Sequence, residues 1–297
     1  MKKPLCILLG TILLLTTRVF AQSAGQDLLL EKAYKQKSSW LLELFFQNWA
    51  DEVQPRDTVG LNAYTTEVYR LFSVFYQPLD LTRYPHMDRW DESYQKPSWF
   101  IVQGQLHYVY VTDHIYFTQQ EFDSVTIEYV HQNVPEEKWS YYLERDAEGR
   151  FLHHIRVPKL SDPPKQIIDS ALDFRPPVSF AGKGIVYLTS GYKKLLDEFL
   201  KAEHIIDMDN HVVYPSPSER ESEERMNFFS QSALIHVGHW GGYWQYETYP
   251  QAYSITFDKA MQRASIDYIL RYEGGTAIFE KQNGEWEFVK ITSWWIE

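Results

Sequence analysis

Apolar residues between Ser39 and Val53 (SWLLELFFQNWADEV) fall at 41, 45 and 49 and at 42, 46, 49 and 53, the spacing of a helix buried over a wide face. Leu61, Tyr64, Val68, Leu71, Phe72 and Phe75 repeat at three and four residues and predict a second helix. Pro78 ends that run, because proline lacks an N–H and disfavours helix in the residue before it. The pattern then changes to that of strands. SWFIVQGQLHYVYVTD breaks at Gln103-Gly104, SVTIEYV (124–130) follows, and WSYYLE and FLHHIRV flank the turn RDAEGR. The first part of the chain therefore reads as two helices and then a meander.

The order recurs further on. In LTSGYKKLLDEFL, Tyr192, Leu195, Leu196, Phe199 and Leu200 form a helical stripe with Thr189 or Ser190 as its cap. Ser218 and Glu221 form an S-x-x-E capping box ahead of a short helix through Met226 to Phe229. From Leu234 the pattern is β: RASIDYILRYE, TAIFEKQ and EWEFVKITSWWIE, joined by Gly274-Gly275 and by Asn283-Gly284, a dipeptide whose residues accept positive φ. Between the two parts, residues 158–187 gather prolines and small residues with little periodicity, the mark of a linker or crossing loop.

The beginning of the chain reads as an export signal, residues 1–21. Lys2 and Lys3 precede the apolar run Leu5–Leu15, and Val19-Phe20-Ala21 suits a cleavage site. That run is too short to cross about 30 Å of hydrocarbon, and no later run is longer. The only cysteine, Cys6, lies inside it, so the mature chain has no disulfide and no nucleophilic thiol. These features predict a protein of the bacterial periplasm or cell exterior. The mature chain divides into a first α+β lobe (22–157), the linker and a second α+β lobe (188–297).

The helix, short helix and long meander ending in YEGGTAIFEKQNGEWEFVKITSWWIE resemble the NTF2-like superfamily over roughly Leu188 to Glu297. The resemblance implies an α+β fold in which helices pack on a curved antiparallel meander sheet that closes as a cone around a pocket. It carries no catalytic motif. Residues 36–157 could be a diverged second copy, the one local echo being LLELFF against LLDEFL. The superfamily hosts isomerases, dehydratases, ligand-binding modules and structural domains, so the fold does not choose among them.

Charge and composition narrow the partners. The net charge is −11, and it becomes more negative when Lys2, Lys3 and Arg18 leave with the leader. With no basic run to offset it, such a surface repels phosphate backbones and excludes nucleic acid as a partner. Aromatic residues make up 16% of the chain, enough to ask whether rings serve as stacking platforms for sugars, with Trp40, Trp90, Trp99 and Trp240 as candidates.

The densest candidate site is Leu234–Pro250, where His236 and His239 read as H-x-x-H. On a regular strand an even and an odd position point to opposite sides, so the pair does not chelate one ion, and no metal site or cofactor is assigned. That register puts His236, Gly238, Trp240, Gly242, Trp244 and Tyr246 on one face, with glycines making room for large rings, and His239, Tyr243, Gln245 and Glu247 on the other. Asp267 shares a face with Ser265, Ile269 and Arg271, the less apolar side of its strand, which predicts a solvent-facing carboxylate. Should that face be concave, Asp267 would meet His236 or His239 as an acid–base pair.

Other fragments carry less. DMDNH (207–211) lacks the glycine and terminal glutamate of a calcium loop, no phosphate cradle or G-x-S-x-G elbow exists, and Arg175 before two prolines suits a salt bridge. No catalytic residue is assigned. His236, His239, Trp240, Tyr243 and Asp267 are the expected pocket lining. The favoured reading is a noncatalytic exported module binding a small molecule, glycan or partner protein. The alternatives are an isomerase or dehydratase using a His/Asp pair, and a structural domain that self-associates as a homodimer.

Overall fold

The computed structural model describes residues 25–57, 59–85, 93–161, 163–168, 172–201, 205–206, 212–213, 220–237, 244–271 and 273–296. The expected signal segment with Cys6, the Ser218 cap, the acidic stretch 207–211, Trp90, His239, Trp240 and Tyr243 lie outside the described residues. The main elements in chain order are α1 (25–35), α2 (Ser39–Glu52), α3 (Ala63–Phe75), β1 (Trp99–Gln103), β2 (Tyr108–Thr112), α4 (Gln119–Asn133), β3 (Lys165–Gln166), β4 (Gly184–Leu188), α5 (Ser190–Phe199), α6 (Arg220–Phe229), β5 (Gln251–Asp258), β6 (Arg263–Leu270), β7 (Glu273–Gln282) and β8 (Glu285–Ile296). Among the described residues no helix is long and apolar enough to cross a membrane.

The class is α+β, and the helices form where the periodicity places them. Asn62 caps α3, its side-chain oxygen accepting from the N–H of Thr65 at 2.8 Å, and Thr189 caps α5 through the N–H of Tyr192. Phe72 and Phe75 of α3 are fully buried, each contributing about 2 kcal/mol of apolar burial. The Phe75 ring meets Tyr268 and Phe279 on the inner face of the sheet. The helix covering this face thus comes from the part of the chain before residue 158. α2 instead packs on the β1–β4 pair, where Phe46 stacks on Trp99 at 5.4 Å and Trp49 donates its indole N–H to the carbonyl of Tyr187.

The sheet departs from two separate meanders. Its order is β8-β7-β6-β5-β2-β3, in which β5 to β8 form the expected antiparallel meander and β2 lies parallel to β5 with Ser254 opposite Tyr108. The meander expected in the first lobe is absent: β1 pairs in parallel with β4, Trp99 opposite Gly184, and β2 joins the second lobe's sheet. Residues 184–187, expected in the crossing loop, are therefore strand. These partners are more than eighty residues apart, and local patterning carries no information about such a pairing.

Three further expectations change. SVTIEYV lies within α4 rather than a strand, because Thr118 and Glu121 close a capping box and Thr126 and Val130 bury one face four residues apart. WSYYLE begins as a short helix, Trp139–Tyr142, and around the correctly placed turn only the bridge from Arg145 to Phe151 remains. Gly274 and Gly275 are not a turn: both lie inside β7, and Arg271, at φ 63°, precedes that strand where the chain reverses. A Cβ on Gly274 would sit 2.1 Å from the Trp295 ring, and one on Gly184 would sit 2.2 Å from the Trp99 ring. In both pairs a tryptophan covers the glycine directly across the ladder, so the glycines are there to admit rings. The turn at Asn283-Gly284 stands as expected, with φ of 54° and 90°.

One buried ionic contact fastens the last hairpin to α3. Glu67 receives Lys281 Nζ at 2.7 Å and the Trp286 indole N–H at 2.8 Å, with both charged side chains almost fully enclosed. Removing one partner leaves a buried charge alone, which costs about 3–5 kcal/mol. Glu67→Ala is expected to lower unfolding stability by about 3 kcal/mol in urea titration; a midpoint equal to that of the parent would show that the contact does not hold the hairpin.

Candidate functional site

A cleft of about 280 Å³ opens beyond the carboxyl ends of β1 and β4, beside the start of α5. Local chemistry makes the opening. After β1, Gly104 lies so close to β4 that a Cβ there would come within 2.2 Å of the Leu188 carbonyl oxygen. Gln103, its side chain buried, turns its amide toward the first residues of β5. Its Oε1 accepts from the N–H of Ala252 at 2.7 Å, and its Nε2 donates to the Ala252 carbonyl at 2.9 Å. The side chain thus does for Ala252 what a neighbouring strand would do. The ladder slips between Ala252 and Ser254 at this point, and Tyr253, carried by the irregularity, is 55% exposed.

The cleft walls include Gln105, His107, Tyr108, Ser190, Glu247 and Tyr253. Tyr108 and Tyr253 pack at 5.2 Å between ring centroids, and Tyr108 lies parallel to Tyr110 at 6.3 Å with 5° between their planes. Tyr108 and Tyr253 line the cleft, and Tyr110 continues their row along the outer face of the sheet. Glu247, in the segment leading to β5, has its carboxyl pKa raised by burial and by Asp197, while backbone hydrogen bonds and Lys193 act against the shift. Lys193 itself pairs with Asp197 at 2.9 Å, and Asp197 also accepts from the Tyr246 hydroxyl.

Of the residues singled out by sequence, the two described ones, His236 and Asp267, are not brought together. Asp267 lies on the outer face, where Ser254 and Thr276 from the two neighbouring strands each donate a hydroxyl to it at 2.7 Å, and Ser293 continues the row through Thr276. His236 is buried beside Tyr268 and Leu270's side of the sheet, next to Tyr94, Tyr249 and Arg271. Alternation along β6 puts Asp267 and Leu270 on opposite faces, so Asp267 and His236 form no acid–base pair. The straight strand expected from 234 to 250 is also replaced. His236-Val237 pairs antiparallel with Trp244-Gln245, His236 opposite Gln245, a pairing that side-chain alternation alone did not specify.

Of the other aromatic candidates, Trp99 is buried with its N–H on Glu43, and Trp40 projects from α2 at 69% exposure. Arg175 makes the salt bridge expected of it, a two-pronged contact with Asp173, and adds a bond to the Gln54 carbonyl. Among the described residues no group of three or more metal-ligating side chains converges. Tyr108, Tyr110, Tyr253 and Gln103 were missed. The alternation in HYVYVTD would have put Tyr108 and Tyr110 on one face, whereas nothing local announces the role of Gln103.

His236 has a clear electrostatic signature. The Tyr94 hydroxyl accepts the Tyr249 N–H at 3.2 Å and shares a hydrogen bond with His236 Nε2 at 2.9 Å. Burial, and secondarily Arg271, lower the pKa of His236 to about 4. The ring stays neutral in the folded chain while the unfolded chain takes up a proton below about 6.5, so this stability is complete above that pH and is lost as pH falls toward 4. Over that window the loss from His236 is expected to be about 3 kcal/mol. Urea unfolding of the parent and of His236→Gln across pH 4–7 checks it, with a flatter profile expected for the variant and identical profiles counting against a buried neutral ring.

No protein-family model, curated protein or solved structure matches the chain, so the chemistry of the cleft rests on its own residues.

Proposed function

We propose that the protein is an exported, noncatalytic binding module whose cleft holds a saccharide. The observation that carries the reading is the pair of rings at the cleft, Tyr108 and Tyr253, with Tyr110 lying nearly parallel to Tyr108 beside it on the same strand. Exposed aromatic faces on a rigid sheet suit the C–H faces of sugar rings, which bury apolar surface while their hydroxyls stay free for hydrogen bonds. Amide groups of Gln105 and Gln251, the hydroxyl of Ser190 and the imidazole of His107 line the same space and supply donors and acceptors for those hydroxyls. The antiparallel run β5–β8 supports the NTF2-like resemblance at the level of fold, and the lysine-headed leader supports export.

Glu247 favours a second reading, a glycoside-cleaving cleft, because a carboxyl group whose pKa is raised by burial beside a sugar site is suited to give a proton to a leaving oxygen. That reading requires release of reducing ends that Glu247→Gln abolishes without loss of binding.

Affinity electrophoresis and calorimetry against a panel of neutral and acidic polysaccharides test the binding reading. The parent is expected to be retained by at least one neutral polysaccharide, and Tyr253→Ala to weaken that binding about tenfold, which corresponds to ~1.4 kcal/mol. Unchanged far-UV circular dichroism would show that the variant folds. Absence of retention on every polysaccharide, or full retention by the variant, would overturn the proposal.

A further inference from the structure

The two edges of the six-stranded sheet are built differently. One ends in β3, which has 2 residues, a short edge of the kind that discourages pairing. The other ends in β8, which has 12 residues. Its side chains are largely open to solvent, with Val289 and Trp294 at 41%, Trp295 at 47% and Ile296 at 55% exposure. No proline interrupts the strand, and its one lysine, Lys290, already donates to the carbonyl of Phe117. Ladder irregularities opposite Thr276-Ala277 and Ile278-Phe279 bend the strand without covering these residues.

We propose that β8 is an interface for a second copy of this chain, which pairs with it antiparallel so that the sheet continues across a twofold axis. Self-pairing of one strand in the antiparallel sense closes a dimer, because the same residues meet from both sides. Charge selects the register. Glu287 stands opposite Glu280 and Lys290 opposite Ile278, and both project from the outer face of the sheet. When Glu287 of one copy faces Lys290 of the other, the contact occurs twice, and each glutamate gains an opposite charge. In that register Val289, itself exposed, lies next to the twofold axis, where its apolar surface is removed from water. The inference is independent of the saccharide reading, since the cleft lies at the other end of the sheet order, beside β2 and β5.

Sedimentation equilibrium on the full chain, with and without charge changes, tests it. The parent is expected to have twice the mass of the chain at micromolar concentration. Glu287→Lys sets lysine against lysine, Lys290→Glu sets glutamate against glutamate, and each variant alone is expected to be a monomer. An equimolar mixture of the two restores both opposite-charge contacts and is expected to regain the doubled mass. A monomeric parent overturns the proposal, as does a Glu287→Lys dimer as tight as the parent's, which would place the contact on another surface. Val289→Lys, at an exposed position, provides an independent arm should Lys290→Glu lose its native circular dichroism: it is expected to be folded and monomeric, and an unweakened dimer again counts against the β8 edge.

Discussion

The parallel pairing of Trp99–Gln103 with Gly184–Leu188 is the constraint on which the remaining architecture depends. It joins segments more than eighty residues apart, and each neighbouring element takes its position from it. α2 lays Phe46 and Trp49 against this pair, and the Trp49 N–H reaches the Tyr187 carbonyl. α5 starts immediately where β4 ends. On the other flank, Thr248 exchanges hydrogen bonds with the backbone of Ile101, and Gln103 does the same for Ala252, so the segment leading into β5 is fixed before β5 joins the large sheet. The cleft is the space left where these three attachments meet.

Close approach is obtained by omitting side chains at chosen positions and by covering the gaps with rings. Gly184 and Gly274 lie beneath Trp99 and Trp295, and Gly104 lies against the Leu188 carbonyl. Trp49 stacks on Tyr192 at 4.2 Å with 2° between planes, linking α2 to α5 through two large surfaces that leave water together. The few charges drawn into this aromatic interior are satisfied: Glu67 by Lys281 and Trp286, Arg225 by Glu31, Glu221 and the Phe199 carbonyl. Such groups add little over an apolar core but penalise any arrangement that leaves one of them alone, which favours a single packing.

Legibility in the sequence followed the range of the interaction. α2, α3 and α5 were readable because their burial is periodic over three or four turns and their caps lie within three residues. The Asn283-Gly284 turn was readable because the positive φ belongs to those two residues. SVTIEYV misled because β-branched residues suggest a strand, while the capping box Thr118–Glu121, lying just before it, committed the segment to helix. Gly274-Gly275 misled for a related reason: glycine serves turns and ring-covered strand positions equally, and only the tryptophan across the ladder tells them apart. In the cleft, the tyrosine alternation was present in HYVYVTD, but its meaning depended on Tyr253, which arrives beside it from 145 residues further along.

The sequence by itself determined the class of fold, the run of antiparallel strands from Arg263 onward, the outward position of Asp267 and the net negative charge. Periodicity, turn chemistry and charge are properties of neighbouring residues, so one chain of letters carries them. Tertiary structure decided that β2 joins the second lobe's sheet, that β1 and β4 run parallel, that His236 is buried and neutral, and that Gln103 stands in for a strand. Those outcomes come from contacts between distant segments, where the loss of chain entropy on closing a long loop is recovered only by the whole set of packed rings and paired backbones acting together.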